Sequence, residues 1–196
     1  PRQGARPQLS ARSYAMIEVH RRLWVGAQSD YDELNDGRPE RPWAVVHAAK
    51  EPFHRQALGY TSRGAPKEHE EYLMAVRAPD TFSQFPCLIL NLVDTDNPAY
   101  VAKEIVDATL SFIDLHKMDR DILLHCNQGK SRSPVLAMLY LAPTLSDEFG
   151  QAEATFKGEV YPDYDPAKGM REFAKQHWQA YHGRTEAKSA IDEVTA

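Results

Sequence analysis

Three short apolar runs constrain this chain more than anything else in it: "WAVVHAA" at 43–49, "PCLILNLV" at 86–93 and "DILLHC" at 121–126. Each is too uniformly apolar to leave one face to water and too short for a buried helix. Near-continuous runs of this length are what strands covered on both faces look like, as in a parallel sheet. "RLWVGA" at 22–27 is a weaker fourth candidate. Parallel strands need long crossovers, and the segment between the second and third runs supplies one. In "AYVAKEIVDATLSFIDLHKM", Val101, Ile105, Ala108, Phe112 and Leu115 recur at spacings of four and three, the pattern of an amphipathic helix.

Further helices follow the third run. "SDEFGQAEATFKG" opens with Ser146 as a possible cap and closes on Gly158. "GMREFAKQHWQAYH" then carries Met170, Phe173, Ala174, His177, Trp178 and Tyr181 on one face. The expectation is an α/β chain: one domain with a central, mostly parallel sheet of about four to five strands, flanked by helices. Its limits fall near 16 and 182, with 1–15 an arm and 183–196 a tail of frayed composition. Residues 51–80 break the rhythm and read as a long loop, with one short helix around "KEHEEYLMAV".

Composition then removes function classes. A chain of 196 residues with 42% hydrophobic content can bury one sizeable core. A formal charge of -5 argues against general nucleic-acid binding, so any anionic ligand needs a local site. Two cysteines, Cys87 and Cys126, are too few for a disulfide framework and suit a reducing, cytoplasmic setting. No apolar run reaches the roughly 18 residues of a membrane span, and no partner other than a substrate is indicated.

The chemistry gathers in "LLHCNQGKSRSPVLAMLYL", at the third run's end. A nucleotide-binding loop would need a glycine five positions before Gly129, where Leu124 stands. A zinc site would need paired ligands, and none are spaced for one. A nucleophile's nest explains more residues. A turn from a buried strand into a helix aims successive backbone N–H groups into one concavity, and the helix dipole adds positive charge there. Cys126 at its base is the candidate nucleophile, and Asn127, Gln128, Gly129, Lys130, Ser131 and Arg132 are its wall. Gly129 lets the backbone turn inward, and the planar fork of Arg132 suits two phosphate oxygens. Pro134 suits a first helical position.

"HCNQGKSRS" resembles the signature of the cysteine-dependent protein tyrosine phosphatases (His-Cys, five residues, Arg, then Ser or Thr), and its "SRSP" ending is most similar to the dual-specificity branch. The resemblance runs from about "RLWVGA" to about "REFAKQHW" and includes "YDPAKGMREF", similar to the opening of that family's last helix. It implies a phosphate-binding loop between a central strand and the next helix, and hydrolysis of phosphomonoesters through a phosphocysteine without metal or cofactor. It also implies a general acid on the loop after the preceding strand. Asp94 in "LNLVDTDNPAY", 32 residues before Cys126, fills that role, with Asp96 as the competitor. Ser133 is then the donor to the departing thiolate and His125 a support that orients the loop. Lys130 departs from the protein-directed members and suits a substrate with more than one anionic group. Cys87 is core filler or a resolving thiol for Cys126. A phosphorylated protein is the first substrate class, a phosphoinositide or nucleotide the alternative. A non-catalytic phosphate-binding module and a rhodanese-like sulfurtransferase are the rivals from other classes.

Overall fold

A computed structural model of the chain describes residues 15–37, 39–59, 72–75 and 85–184. Strands alternate their side chains between two faces, so each buried run feeds two cores at once. In β3 (Trp43–His47), Ala44 and Val46 join one apolar cluster, while Trp43 and Val45 join another. β5 (Cys87–Leu90) and β6 (Asp121–His125) divide likewise, Leu88, Leu90, Ile122 and Leu124 to the first cluster and Cys87, Ile89 and Leu123 to the second. The larger cluster is closed by α3 (Lys103–His116), α4 (Arg132–Leu141) and α6 (Lys168–His182), the smaller by α1 (Gln28–Asp36) and the turn around Phe53. All ten residues of α4 are buried, so the helix that follows the candidate loop is held on every side.

The sheet has six strands in the order β1-β2-β6-β3-β5-β4, with β1 at Ile17–His20, β2 at Leu23–Gly26 and β4 at Tyr72–Ala75. The four central strands are parallel; the two edges pair antiparallel with β2 and β5. The four central strands are the runs read from the sequence, the weak "RLWVGA" included. The edges make the sheet one strand larger than expected.

Other expectations need correction. The short helix around "KEHEEYLMAV" is replaced, over Tyr72–Ala75, by β4, which pairs with Cys87–Leu90. A neighbouring strand's open edge outweighs local helix propensity there. The remainder of that stretch, most of 60–84, the arm over 1–14 and the tail beyond 184 lie outside the described residues. The "long loop" is helical at its start, where α2 (Arg55–Leu58) follows a turn that buries Phe53 and His54. Leu115, expected on the buried stripe, is 60% exposed. Val101 precedes the helix, so counting from it shifts the phase; the buried stripe is Ile105, Val106, Thr109, Leu110, Phe112 and Ile113. Finally, α5 (Phe149–Thr155) is capped by the Glu148 carboxylate, which accepts from Gly150 and Gln151 N–H. Ser146 acts one step earlier, accepting from Glu148 N–H at 3.2 Å.

Candidate active site

Strand periodicity decides which way each residue at the end of β6 points. Leu124 and Cys126 join the larger core, and His125 must face the opposite way. The chain then turns sharply. Gly129 has φ +73°, a conformation only glycine adopts without strain, and it packs on the corner after β2: a Cβ there would lie 3.0 Å from the Gly26 carbonyl carbon. Backbone bonds tie the loop on both flanks. Cys126 N–H donates to Gly26 O at 3.4 Å, Gln28 N–H to Asn127 O at 3.3 Å, and Asp165 N–H to Lys130 O at 2.8 Å. Arg132 opens α4 and Pro134 is its third residue rather than its first, still within the turn whose N–H groups have no helical partner.

The loop encloses a cavity of about 160 Å³ lined by Asp94, Cys126, Asn127, Gln128, Lys130, Ser131, Arg132 and Asp165. Cys126 is 2% exposed and forms its floor. From behind, the Ser133 hydroxyl donates to Cys126 Sγ at 3.3 Å. Arg132 is buried. Its Nη2 donates to Asn127 Oδ1 at 2.7 Å and its Nη1 to Leu92 O at 3.4 Å. Its Nε has no partner among the described residues. A buried donor left so costs about 1–3 kcal/mol. Asn127, expected to serve through its backbone, thus also holds the arginine's fork in place with its side chain.

Asp94 reaches the cavity from the loop after β5. Its Oδ1 accepts from the Ser131 hydroxyl at 2.6 Å, and that hydroxyl in turn accepts from Ala167 N–H at 2.9 Å. Asp96, two residues on, is exposed and does not line the cavity. The acid's loop is seated against α6. Gly169 N–H donates to Thr95 O at 2.9 Å, and a Cβ on Gly169 would stand 2.5 Å from that oxygen. The glycine of "DPAKGM" is thus the residue that lets the last helix approach Asp94.

Beneath the loop, on the other face, His125 is fully buried. Its Nε2 lies 2.6 Å from His47 Nδ1, one ring donating to the other. Tyr31 stacks on His125 at 4.9 Å and Phe53 on His47 at 3.9 Å. Burial pushes His125 down to about 3 and holds His47 well below the usual imidazole range. His47 escaped the sequence reading, although a signal was present. "WAVVH" and "DILLH" end alike, and the register pairs His47 with His125.

Cys87 sits at the far end of the sheet. It is level with Val45, which is level with Leu123, three residues before Cys126 and two strands away. Strand rise and spacing put the two Cα atoms roughly 14 Å apart, with the thiols in the cores on opposite faces, beyond any disulfide without moving the backbone. Cys87 is therefore core filler and not a resolving thiol; burial alone pushes it up to about 11. Asp165, which no pattern singled out, lines the cavity beside Lys130. Among the described residues, no three His, Cys, Asp or Glu side chains gather to hold a metal ion, and no helix is long and apolar enough to cross a membrane.

No protein-family model and no curated protein sequence matches the chain. Solved structures do. DUSP15 superposes with a TM-score of 0.56 at 17% identity, covering 90% of this chain and 92% of its own. The human tyrosine phosphatase-like serine/threonine/tyrosine-interacting protein gives 0.54 at 19%, over 85% and 97%. Human DUSP28 gives 0.51 at 17%, over 84% and 93%. With the parallel sheet, the loop between β6 and α4 and near-complete mutual coverage, the chain has the fold of the dual-specificity phosphatases.

Proposed function

We propose that the chain hydrolyses phosphomonoesters through a phosphocysteine formed on Cys126. The observation that carries this reading is the convergence in one cavity of a sulfur, a buried guanidinium with a free Nε and a carboxylate from another loop, with a hydroxyl behind the sulfur. Cys126 Sγ attacks phosphorus in line with the leaving oxygen. The P–O bond breaks as the S–P bond forms, and Asp94 gives its proton to the leaving oxygen. Loop N–H groups and Arg132 stabilise charge on the three equatorial oxygens. Water then attacks the phosphocysteine. Asp94 takes the water's proton, the S–P bond breaks, and the Ser133 hydroxyl supports the released thiolate. His125 takes no part in bond making; with His47 it holds the end of β6.

A nucleophilic thiol works only while reduced, which suits the reducing compartment expected from the cysteine count. Phosphorylated proteins are the substrate class this reading takes first, in keeping with the fold neighbours' names. The test is hydrolysis of p-nitrophenyl phosphate with a chelator present, set beside thiosulfate with cyanide. Chelator-resistant phosphate release that vanadate inhibits competitively supports the reading. Thiocyanate formation without phosphate release would assign the site to sulfur transfer, and binding of phosphate mimics without either turnover to a non-catalytic module.

A further inference from the structure

Phosphocysteine chemistry leaves Asp165 unused, and a role for this residue in choosing substrates rests on that chemistry taking place. Asp165 lines two cavities at once, the catalytic one and a larger neighbour of about 350 Å³. The neighbour is walled also by Ala154, Lys157, Tyr164, Pro166 and Arg171. Most of its charge is already paired. Arg171 grips the Glu153 carboxylate through Nε and Nη2 at 2.6–3.0 Å, and the Tyr164 hydroxyl donates to the same carboxylate at 3.3 Å. Asp165 is different. Its backbone is pinned to Lys130 O, yet its exposed carboxylate has no hydrogen bond or ion pair among the described residues.

An acid at the mouth of an anion site repels the dianion the site must admit. Asp94 has a reason to be there, since it carries the proton for the leaving group and Ser131 holds it. Lys130 at the same rim offsets part of the Asp165 repulsion, and a cation brought to the same spot by the substrate would offset the rest. We propose that Asp165 selects phosphopeptides with Lys or Arg beside the phosphorylated residue. The aliphatic stem of that residue lies in the larger cavity along Ala154, Tyr164 and Pro166, and its charged head meets Asp165. Lys157, exposed in the same cavity, opposes that head and tempers the preference. Asp165 likewise offsets Lys130 at the shared rim, which disfavours the polyanionic substrates that Lys130 alone would suit.

The test compares kcat/KM for matched phosphotyrosine peptides that differ only in a flanking Arg or Glu, with p-nitrophenyl phosphate as the uncharged-context control. Wild type should prefer the Arg peptide by about five- to tenfold at low salt, and less at high salt. Asp165→Asn should bring the ratio within about twofold, Asp165→Lys should reverse it, and Lys157→Ala should widen it. A ratio unmoved by Asp165→Asn overturns the proposal, as does a wild-type preference for the Glu peptide or for inositol polyphosphates. So does a loss on p-nitrophenyl phosphate as large in Asp165→Asn as in Asp94→Asn, which would place Asp165 in the chemistry. Turnover of p-nitrophenyl phosphate without any flanking preference sinks this inference alone. Absence of that turnover sinks the phosphatase reading and this with it.

Discussion

His125 and Cys126 are neighbours in the chain and opposites in the fold. Cys126 turns toward α4 and floors an open, polar cavity; His125 turns toward α1 and is sealed among His47, Tyr31 and Phe53. One face of the strand end opens on a polar cavity and the other is sealed in the core. On the proposed reading the loop presents several N–H groups to one phosphate and needs a fixed foundation, which the buried imidazole pair below β6 would supply. Substitutions on the two faces should therefore fail in different ways.

The largest contrast is between the two neighbours themselves. Cys126→Ser should abolish turnover while the protein still binds vanadate and unfolds at nearly the wild-type denaturant concentration. His125→Ala should lose about 2–4 kcal/mol of stability, the scale of large-to-small changes in a packed interior. Urea denaturation beside steady-state kinetics separates the two. A serine variant as unstable as the alanine variant would erase the distinction between the faces.

Within the reactive face, Asp94→Asn should lower kcat by roughly 10²–10⁴-fold, more for alkyl than for p-nitrophenyl leaving groups. Asp96→Asn should change it by less than about fivefold, because that side chain does not line the cavity. The reverse pattern would move the acid by two residues.

On the structural face the sensitive variable is pH. Folding lowers the pKa of both His47 and His125, so below about pH 6.5 the unfolded chain binds protons that the folded one refuses. The stability from the neutral pair is complete above that pH and is lost as pH falls toward the folded value of about 3 for His125. Stability should drop by roughly 1 kcal/mol per pH unit for each ring between about 6.5 and 5, and His47→Gln should flatten the slope. A slope equal in wild type and variant would show that the pair contributes nothing to it.

The smallest effect belongs to Lys130. Exposed at the rim beside Asp165, it should contribute less than about fivefold to kcat/KM for any singly phosphorylated substrate, a loss that salt reproduces in the wild type. A larger loss would mean that Lys130 grips the phosphate itself.

What is legible in the sequence is whatever depends on local pattern. "WAVVH", "CLIL" and "DILLH" stand out because both faces of each are buried. Ile17–His20, at a sheet edge with only partial burial, does not. The spacing of Cys126, Gly129, Arg132 and Ser133 is likewise local, and Asp94 is found because the family resemblance implies an acid after that apolar run and it is the first polar residue beyond it. Asp165, His47 and the grip of Asn127 on Arg132 depend on what tertiary folding brings together. Thr109 hides in the helix for a simpler reason: its hydroxyl donates to Ile105 O at 2.8 Å, so a polar residue sits in the core without cost enough to exclude it.

The most direct test of the central claim is to trap the intermediate. Asp94→Asn, mixed with p-nitrophenyl phosphate and acid-quenched within a turnover, should carry phosphate on the peptide containing Cys126, because the leaving group barely needs the acid while the water step needs the base. Mass spectrometry should locate the phosphoryl group on Cys126 in stoichiometric amount, and Cys126→Ser in the same background should show none. Steady hydrolysis with no phosphoryl group on Cys126, or with it on another residue, would contradict the account.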